Sequence, residues 1–231
     1  MREKLGSFLS NESSFGKFMS VLLILIVTNL LFIVSCIPVI TMGPGLAAMF
    51  YTLLKLLRGN TDMNPVSVFW KGFRENWKQG LLGWLFFGIL WVVLYLEIFW
   101  AHQFSAPVSY VVYGLYAVLL LSIMIAVFYF PGVASFRAGF VQQLKNSLLF
   151  FARAPWVGIV GAVLYGGLLL ATKLDEARQP AYVFFWFIIG FSLIGFIIAK
   201  LILPVFVPYL PKVNEWGDIL TEKDFEEDES F

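Results

Sequence analysis

Five long runs of this chain contain no charged residue. An apolar helix of about 20 residues crosses the roughly 30 Å hydrocarbon core of a bilayer, so a charge-free run of that length predicts a membrane span. Of the 231 residues, 60% are hydrophobic and only 13% are charged, whereas a soluble domain has about 25% charged residues. The sequence therefore predicts an all-α, polytopic membrane bundle. The runs cover 18–54, 79–96, 98–136, 154–172 and 179–199.

Two of these runs are too long for a single helix. At 1.5 Å per residue, 18–54 and 98–136 would each measure roughly 55 Å or more, nearly twice the hydrocarbon thickness. We predict that the first folds back at Pro38 and Gly43-Pro44-Gly45, because proline lacks an amide donor and glycine tolerates positive φ. The second is predicted to fold back within 101–107. The six predicted spans lie near 18–40, 43–58, 80–100, 107–130, 154–173 and 181–206.

The second predicted span, 43–58, is convincingly apolar over only about a dozen residues, Leu46 to Leu57, and Lys55 lies among them. An interfacial or re-entrant helix is the alternative. Cytoplasmic loops carry an excess of Lys and Arg, and six spans starting from a cytoplasmic N-terminus put 13 of these residues inside and two outside, with Lys200 within the last span. With five spans, both flanks of the first helix would be basic. We therefore predict a multi-pass protein of the cytoplasmic membrane with both termini in the cytoplasm; whether 43–58 crosses the whole bilayer stays open.

The net charge of +1 is the sum of two unlike parts. Residues 1–211 carry 14 basic and 7 acidic groups, while 212–231 carry 2 basic and 8 acidic groups. Near-neutrality excludes the basic footprint of a general nucleic-acid binder. We predict one membrane-embedded domain over 1–211. The remaining 20 residues are predicted to be a disordered cytoplasmic tail, because so polar a segment buries too little apolar surface to fold alone.

Sequence motifs of enzymes and metal sites are absent. The chain has no Walker-type loop, no His-Glu-x-x-His and no Gly-x-Ser-x-Gly. Its single histidine and single cysteine cannot supply the usual ligand sets of a zinc site. We expect no catalytic, cofactor-binding or metal-binding residue, and we predict that the protein is not an enzyme.

Two segments between predicted spans, near 64–79 and 136–150, are predicted to be amphipathic elbow helices at the lipid headgroup level. In the first, aromatic residues recur at helical spacing and charged residues fill the remaining positions. The stretches 69–81 and 136–148 also resemble each other at an offset of 67 residues. Each elbow either anchors the next span or offers a surface for a cytoplasmic partner.

Three polar residues within the predicted spans are candidates for a special role. Asn29 lies in the middle of the first span, where an amide is expected to make hydrogen bonds between helices. Glu97 and Lys200 lie near opposite ends of their spans, shallow enough to reach the interface. They are interfacial anchors, or functional charges if the protein is a carrier.

The block Pro38, Thr41, Gly43, Pro44 and Gly45 reads Pro-x-x-Thr-x-Gly-Pro-Gly, and residues 73–79 read Phe-Arg-Glu-Asn-Trp-Lys-Gln. In these two blocks, and in Leu56-Leu57-Arg58-Gly59 between them, the chain resembles the YesL-like family of bacterial membrane proteins. The resemblance spans roughly residues 10–211, and the two blocks are its specific part. The resemblance implies a small multi-span protein of the cytoplasmic membrane, often encoded beside carbohydrate-uptake ABC transporter components, with no defined activity. The resemblance implies that the first block forms a structural turn. It implies that the second block forms an elbow that lies at the membrane interface or docks a partner, with Phe73, Arg74, Asn76, Trp77 and Lys78 as its matching residues.

The leading functional hypothesis is an accessory component of a carbohydrate ABC uptake system. Its partners would be the lipid bilayer and the permease or ATPase subunits, which it would bind through the basic elbows and the first hairpin. One alternative is an independent secondary transporter or channel that uses Glu97 and Lys200. Another is a membrane-embedded regulator that binds a sensor through the elbows and the acidic tail.

Overall fold

The computed structural model describes residues 14–101 and 108–209. This part of the chain is helical and contains no strand. The prediction of an all-α bundle with six candidate spans is confirmed by the length and apolar composition of its helices. The predicted tail, 212–231, and the predicted outer loop around His102 lie outside the described residues. The six candidate spans are Phe15–Ser35, Val39–Leu57, Trp77–Trp100, Tyr110–Ser135, Pro155–Leu174 and Glu176–Tyr209.

The described chain forms nine α-helices, which we number in order. A π-helical turn, Trp186–Gly190, joins the last two of them with helical backbone angles on both sides. Short 3-10 turns occupy Val39–Thr41, Glu176–Arg178 and Val207–Tyr209. The helices are α1 Ser14–Ser35, α2 Met42–Leu57, α3 Pro65–Glu75, α4 Trp77–Ala101, α5 Val108–Ser135, α6 Phe140–Arg153, α7 Pro155–Leu174, α8 Gln179–Phe185 and α9 Phe191–Phe206.

The short helix α2 lies at the centre of the bundle. It packs against α1, α3, α4, α5 and α9. Ala47, Ala48, Met49 and Leu53 are fully buried in this core, as expected for a helix that is apolar on nearly all sides. The segment with the weakest span signal in the sequence is therefore the helix around which the others assemble.

The glycines of the Gly43-Pro44-Gly45 block do not form the turn that the sequence predicts. All three residues belong to the first turns of α2, and neither glycine has a positive φ; among the described residues that conformation occurs at Gly59 (φ 99°). The chain reverses earlier, between Ser35 and Val39. The glycines instead permit close packing: a Cβ on Gly43 would lie 2.2 Å from the Gly80 carbonyl oxygen, and one on Gly45 would lie 2.3 Å from Ser35 Oγ.

The contact between Gly43 and Gly80 holds the start of α2 against the start of α4. From Trp84, which also touches Gly43, α4 continues to Ala101, a distance of roughly 25 Å at 1.5 Å per residue. Along this stretch Phe87 packs edge to face on Tyr129 of α5, and Trp91 Nε1 donates to Ser122 Oγ of α5 at 3.1 Å. At the α1–α2 turn the large apolar side chains Ile37, Val39 and Ile40 are exposed, an arrangement that suits contact with lipid rather than water.

Helices α3 and α6 occupy the two elbow segments. The side chain of Asn64 caps α3 by accepting hydrogen bonds from the Val66 and Ser67 amides at 3.0 and 3.3 Å, and Pro65 takes the first helical position, where no amide partner is lost. At the other end, only Asn76 separates α3 from α4. Similarly, only Ala154 separates α6 from α7. Each elbow therefore leads directly into a long apolar helix.

Candidate functional site: a basic cleft at one end of the bundle

A cleft opens where α2 ends and α4 begins. Its volume is about 770 Å³, which is within the range of small-molecule sites. Three parts of the chain line it: the end of α2 with Arg58, the α3–α4 junction, and the end of α5 with the linker 136–139. These parts are far apart in sequence, so the cleft exists only once the bundle has assembled.

The lining of the cleft is basic. Four cations, Lys55, Arg58, Lys71 and Arg137, share it with one carboxylate, Glu75. Within residues 14–101 and 108–209, none of these five groups forms an ion pair. The ion pair found there, Arg178 with Asp175 at 3.6 Å, lies just before α8. The cleft therefore carries an excess of positive charge that these neighbours do not neutralise.

Arg58 enters the cleft at the end of the central helix. Its backbone amide donates to the Leu54 carbonyl at 3.2 Å and so closes the last turn of α2. Gly59 then turns the chain with its positive φ. Partial burial lowers the pKa of the Arg58 guanidinium, because desolvation disfavours a charged group. The protein thus holds a cation partly out of water in a cleft that three other cations also line.

Among the predicted elbow residues Phe73, Arg74, Asn76, Trp77 and Lys78, which we call the elbow motif, the one that reaches the cleft is Asn76. Asn76 lines the cleft, and its Nδ2 donates to the Gly72 carbonyl at 2.9 Å, which ends α3. The rings of Phe73 and Trp77 pack edge to face, 5.2 Å apart. Arg74 and Lys78 are exposed outside the cleft. The motif therefore combines a helix junction, an aromatic pair and two outward-facing cations.

The turn motif closes the α1–α2 hairpin. The Thr41 hydroxyl donates to the carbonyls of Ser35 and Pro38. With Gly43, Pro44 and Gly45 in the helix that follows, this block contributes packing and a tight reversal rather than a ligand-binding group.

Asn29 joins α1 to the π-helical turn before α9. It is fully buried. Its Nδ2 donates to the carbonyls of Trp186 and Phe187 at 3.0 and 2.8 Å, and its Oδ1 accepts from the Ser192 amide at 3.0 Å. A π turn disturbs the regular hydrogen bonds between backbone groups. The side-chain amide of Asn29 makes hydrogen bonds to three backbone groups in and just after this turn.

Glu97 and Lys200 are both exposed, on α4 and α9 respectively. Neither lines the cleft, and the structure does not bring them together. The neighbouring candidate His102 lies outside the described residues. In the part of the chain that is described, no three His, Cys, Asp or Glu side chains lie close enough to hold a metal ion.

Sequence reasoning did not single out Arg58, Gln79 or Ser135 as site residues. Arg58 and Gln79 lie in stretches that carry the family resemblance, but nothing local gives them a binding role, and Ser135 is an ordinary serine at a helix end. One sequence signal does point to the cleft, because the similar stretches 69–81 and 136–148 both reach it in the structure.

A bundle of apolar helices around a short central helix, with four of the chain's 16 Lys and Arg residues lining a cleft at one end, defines a multi-pass helical membrane protein. Residues 25–98, about a third of the chain, match the model of a family described as a protein of unknown function, DUF624. No curated protein and no solved structure matches the chain. The matched segment includes the part of the cleft formed by α2, α3 and the start of α4, and it excludes the part formed by α5 and its linker.

Proposed function

We propose that this protein is an accessory component of a carbohydrate ABC uptake system in the cytoplasmic membrane. The carbohydrate connection rests on the resemblance to the YesL-like family. The orientation rests on the gathering of cations at the cleft end of the bundle, which the positive-inside rule assigns to the cytoplasm. That gathering is the observation that carries the proposal. The cations of the cleft, the elbows and their junctions are Lys55, Arg58, Lys71, Arg74, Lys78, Arg137, Lys145 and Arg153.

The outer face of α3 and the first turn of α4 form the proposed docking surface for a permease or ATPase subunit. Arg74 and Lys78 are exposed there, beside the exposed rings of Trp70 and Trp77. Tryptophan and arginine are enriched among residues that dominate binding energy at protein interfaces. Two cations flanked by aromatic rings fit an acidic patch with an apolar centre on the partner.

The test is affinity purification of the tagged full chain, in mild detergent, from the native organism. We expect the unmodified protein to recover permease or ATPase subunits. Replacing both Arg74 and Lys78 by glutamine should reduce this recovery several-fold, because the complementary charges of the docking surface are lost. Lys173→Gln, an exposed cation near the end of α7, is the matched control and should leave recovery unchanged. Recovery of the intact protein without any transporter component would contradict the proposal.

The carrier alternative draws no support from the positions of its two candidate charges. A transport pathway needs ionisable groups that face the bundle interior or a water-filled cavity. Glu97 and Lys200 are instead exposed on the outside of their helices. Their positions suit side chains that reach the interface.

A further inference from the structure

Three buried polar atoms of the cleft have no hydrogen-bond partner. They are Arg58 Nε, Gln79 Oε1 and Ser135 Oγ. Each belongs to a residue that lines the cleft, and each comes from a different part of the chain: the end of α2, the start of α4 and the end of α5. Buried polar groups in native proteins are nearly always paired. Three unpaired atoms around one cavity therefore indicate that something absent from the described chain satisfies them.

The chemistry of these atoms describes what they would bind. Arg58 Nε carries a hydrogen and needs an acceptor, Gln79 Oε1 needs a donor, and the Ser135 hydroxyl can serve as either. The ligand must therefore present both acceptor oxygens and a hydroxyl or similar donor. Around these atoms, four cations face a single carboxylate, which favours a ligand that carries more than one negative charge.

We propose that the cleft binds a phosphate ester that carries free hydroxyl groups, with Arg58 and Ser135 on the phosphate and Gln79 on a hydroxyl. Phosphate provides three strong acceptor oxygens and close to two negative charges at neutral pH. A guanidinium matches its geometry with parallel N–H donors. The volume of about 770 Å³ leaves room for the rest of a small organic molecule. This inference goes beyond the proposed docking surface and does not depend on it.

The exposed cations of the elbow serve as a contrast. Arg74 and Lys78 do not line the cleft, and neither holds an unpaired buried atom. They attract phosphate only as solvated surface charges, whose effect is weak and screened by salt. Specific binding in the cleft predicts that Arg58 matters for the binding of a phosphate ester and that Arg74 does not.

The experiment is isothermal titration calorimetry on the purified full chain in nanodiscs of phosphatidylcholine, with glycerol 3-phosphate, ethyl phosphate and glycerol as probes. We expect glycerol 3-phosphate to bind, ethyl phosphate to bind more weakly because it lacks hydroxyls, and glycerol not to bind. Arg58→Gln should weaken binding of glycerol 3-phosphate about tenfold or more, and Ser135→Ala about threefold or more, because each loses a donor to a charged oxygen. Arg74→Gln should change it less than about twofold.

A change in specificity separates a binding role from a folding role. Gln79→Leu should remove the preference for glycerol 3-phosphate over ethyl phosphate while both still bind, which a general loss of structure would not produce. Arg58→Lys keeps the charge but loses Nε, so it tests the same atom if Arg58→Gln does not fold. Thermal unfolding of each variant checks that the protein is intact.

Nanodiscs that also contain phosphatidylglycerol separate two sources of the same chemistry. If a lipid headgroup fills the cleft, phosphatidylglycerol should compete with glycerol 3-phosphate and Arg58→Gln should abolish the competition. If the ligand is a soluble ester, its affinity should be the same in both nanodiscs. Equal weakening by Arg58→Gln and Arg74→Gln would overturn the proposal. So would the absence of glycerol 3-phosphate binding in nanodiscs of phosphatidylcholine.

Discussion

At the scale of single residues, Asn29 shows how a polar side chain is accommodated in an apolar helix. Its position in a charge-free run predicts a hydrogen-bonding role, because an unpaired amide in hydrocarbon is costly. Its partners could not be predicted. They are backbone groups about 160 residues away, made available by a π-helical turn that has no sequence signal we recognise. Residue-level prediction therefore finds the polar group but not its partner.

We expect Asn29→Leu to lower the free energy of unfolding by about 1–3 kcal/mol, because two carbonyls and one amide would lose their partner. Unfolding in detergent, followed by circular dichroism, measures this change. The adjacent Thr28 is the matched control: its hydroxyl is equally buried but has no partner, so Thr28→Val should be neutral or stabilising. Equal destabilisation by both substitutions would contradict the role given to Asn29.

At the scale of elements, the packing of α2 against α4 explains why the predicted turn at Gly43-Pro44-Gly45 is wrong. Glycine and proline together often mark a turn, but they also suit the first turn of a helix that approaches another backbone closely. Gly80 completes the contact, since a Cβ there would lie 2.8 Å from the Pro44 Cα and nitrogen. The local sequence cannot distinguish a turn from a closely packed helix start, because the close packing depends on α4, a helix about 35 residues later in the chain.

We expect Gly80→Ala to destabilise the bundle by about 1–3 kcal/mol or more, because the added methyl meets backbone that cannot move aside cheaply. Gly88→Ala, on the same helix, meets nothing within 4 Å. It should be neutral or stabilising by up to about 1 kcal/mol, as helix propensity predicts. Thermal unfolding midpoints in one detergent compare the two variants. A Gly80→Ala protein as stable as Gly88→Ala would contradict the close contact.

At the scale of the whole molecule, the bundle is predictable and the cleft is not. The long apolar helices follow from charge spacing and hydrocarbon thickness, both of which are read directly from the chain. The amphipathic elbows follow from helical periodicity. The cleft depends on how α2, the α3–α4 junction and the end of α5 meet. Arg58, Gln79 and Ser135 acquire a shared environment only through that packing.

The orientation of the bundle decides which side of the membrane holds the docking surface and the cleft, because both lie at the basic end of the bundle. The most direct test is labelling of intact cells with a membrane-impermeant maleimide, using single cysteines introduced on a Cys36→Ser background. We predict that His102→Cys is labelled from outside and that Asn60→Cys is labelled only after the membrane is permeabilised. Labelling of Asn60→Cys in intact cells would contradict the six-span arrangement and place the cleft on the outer side.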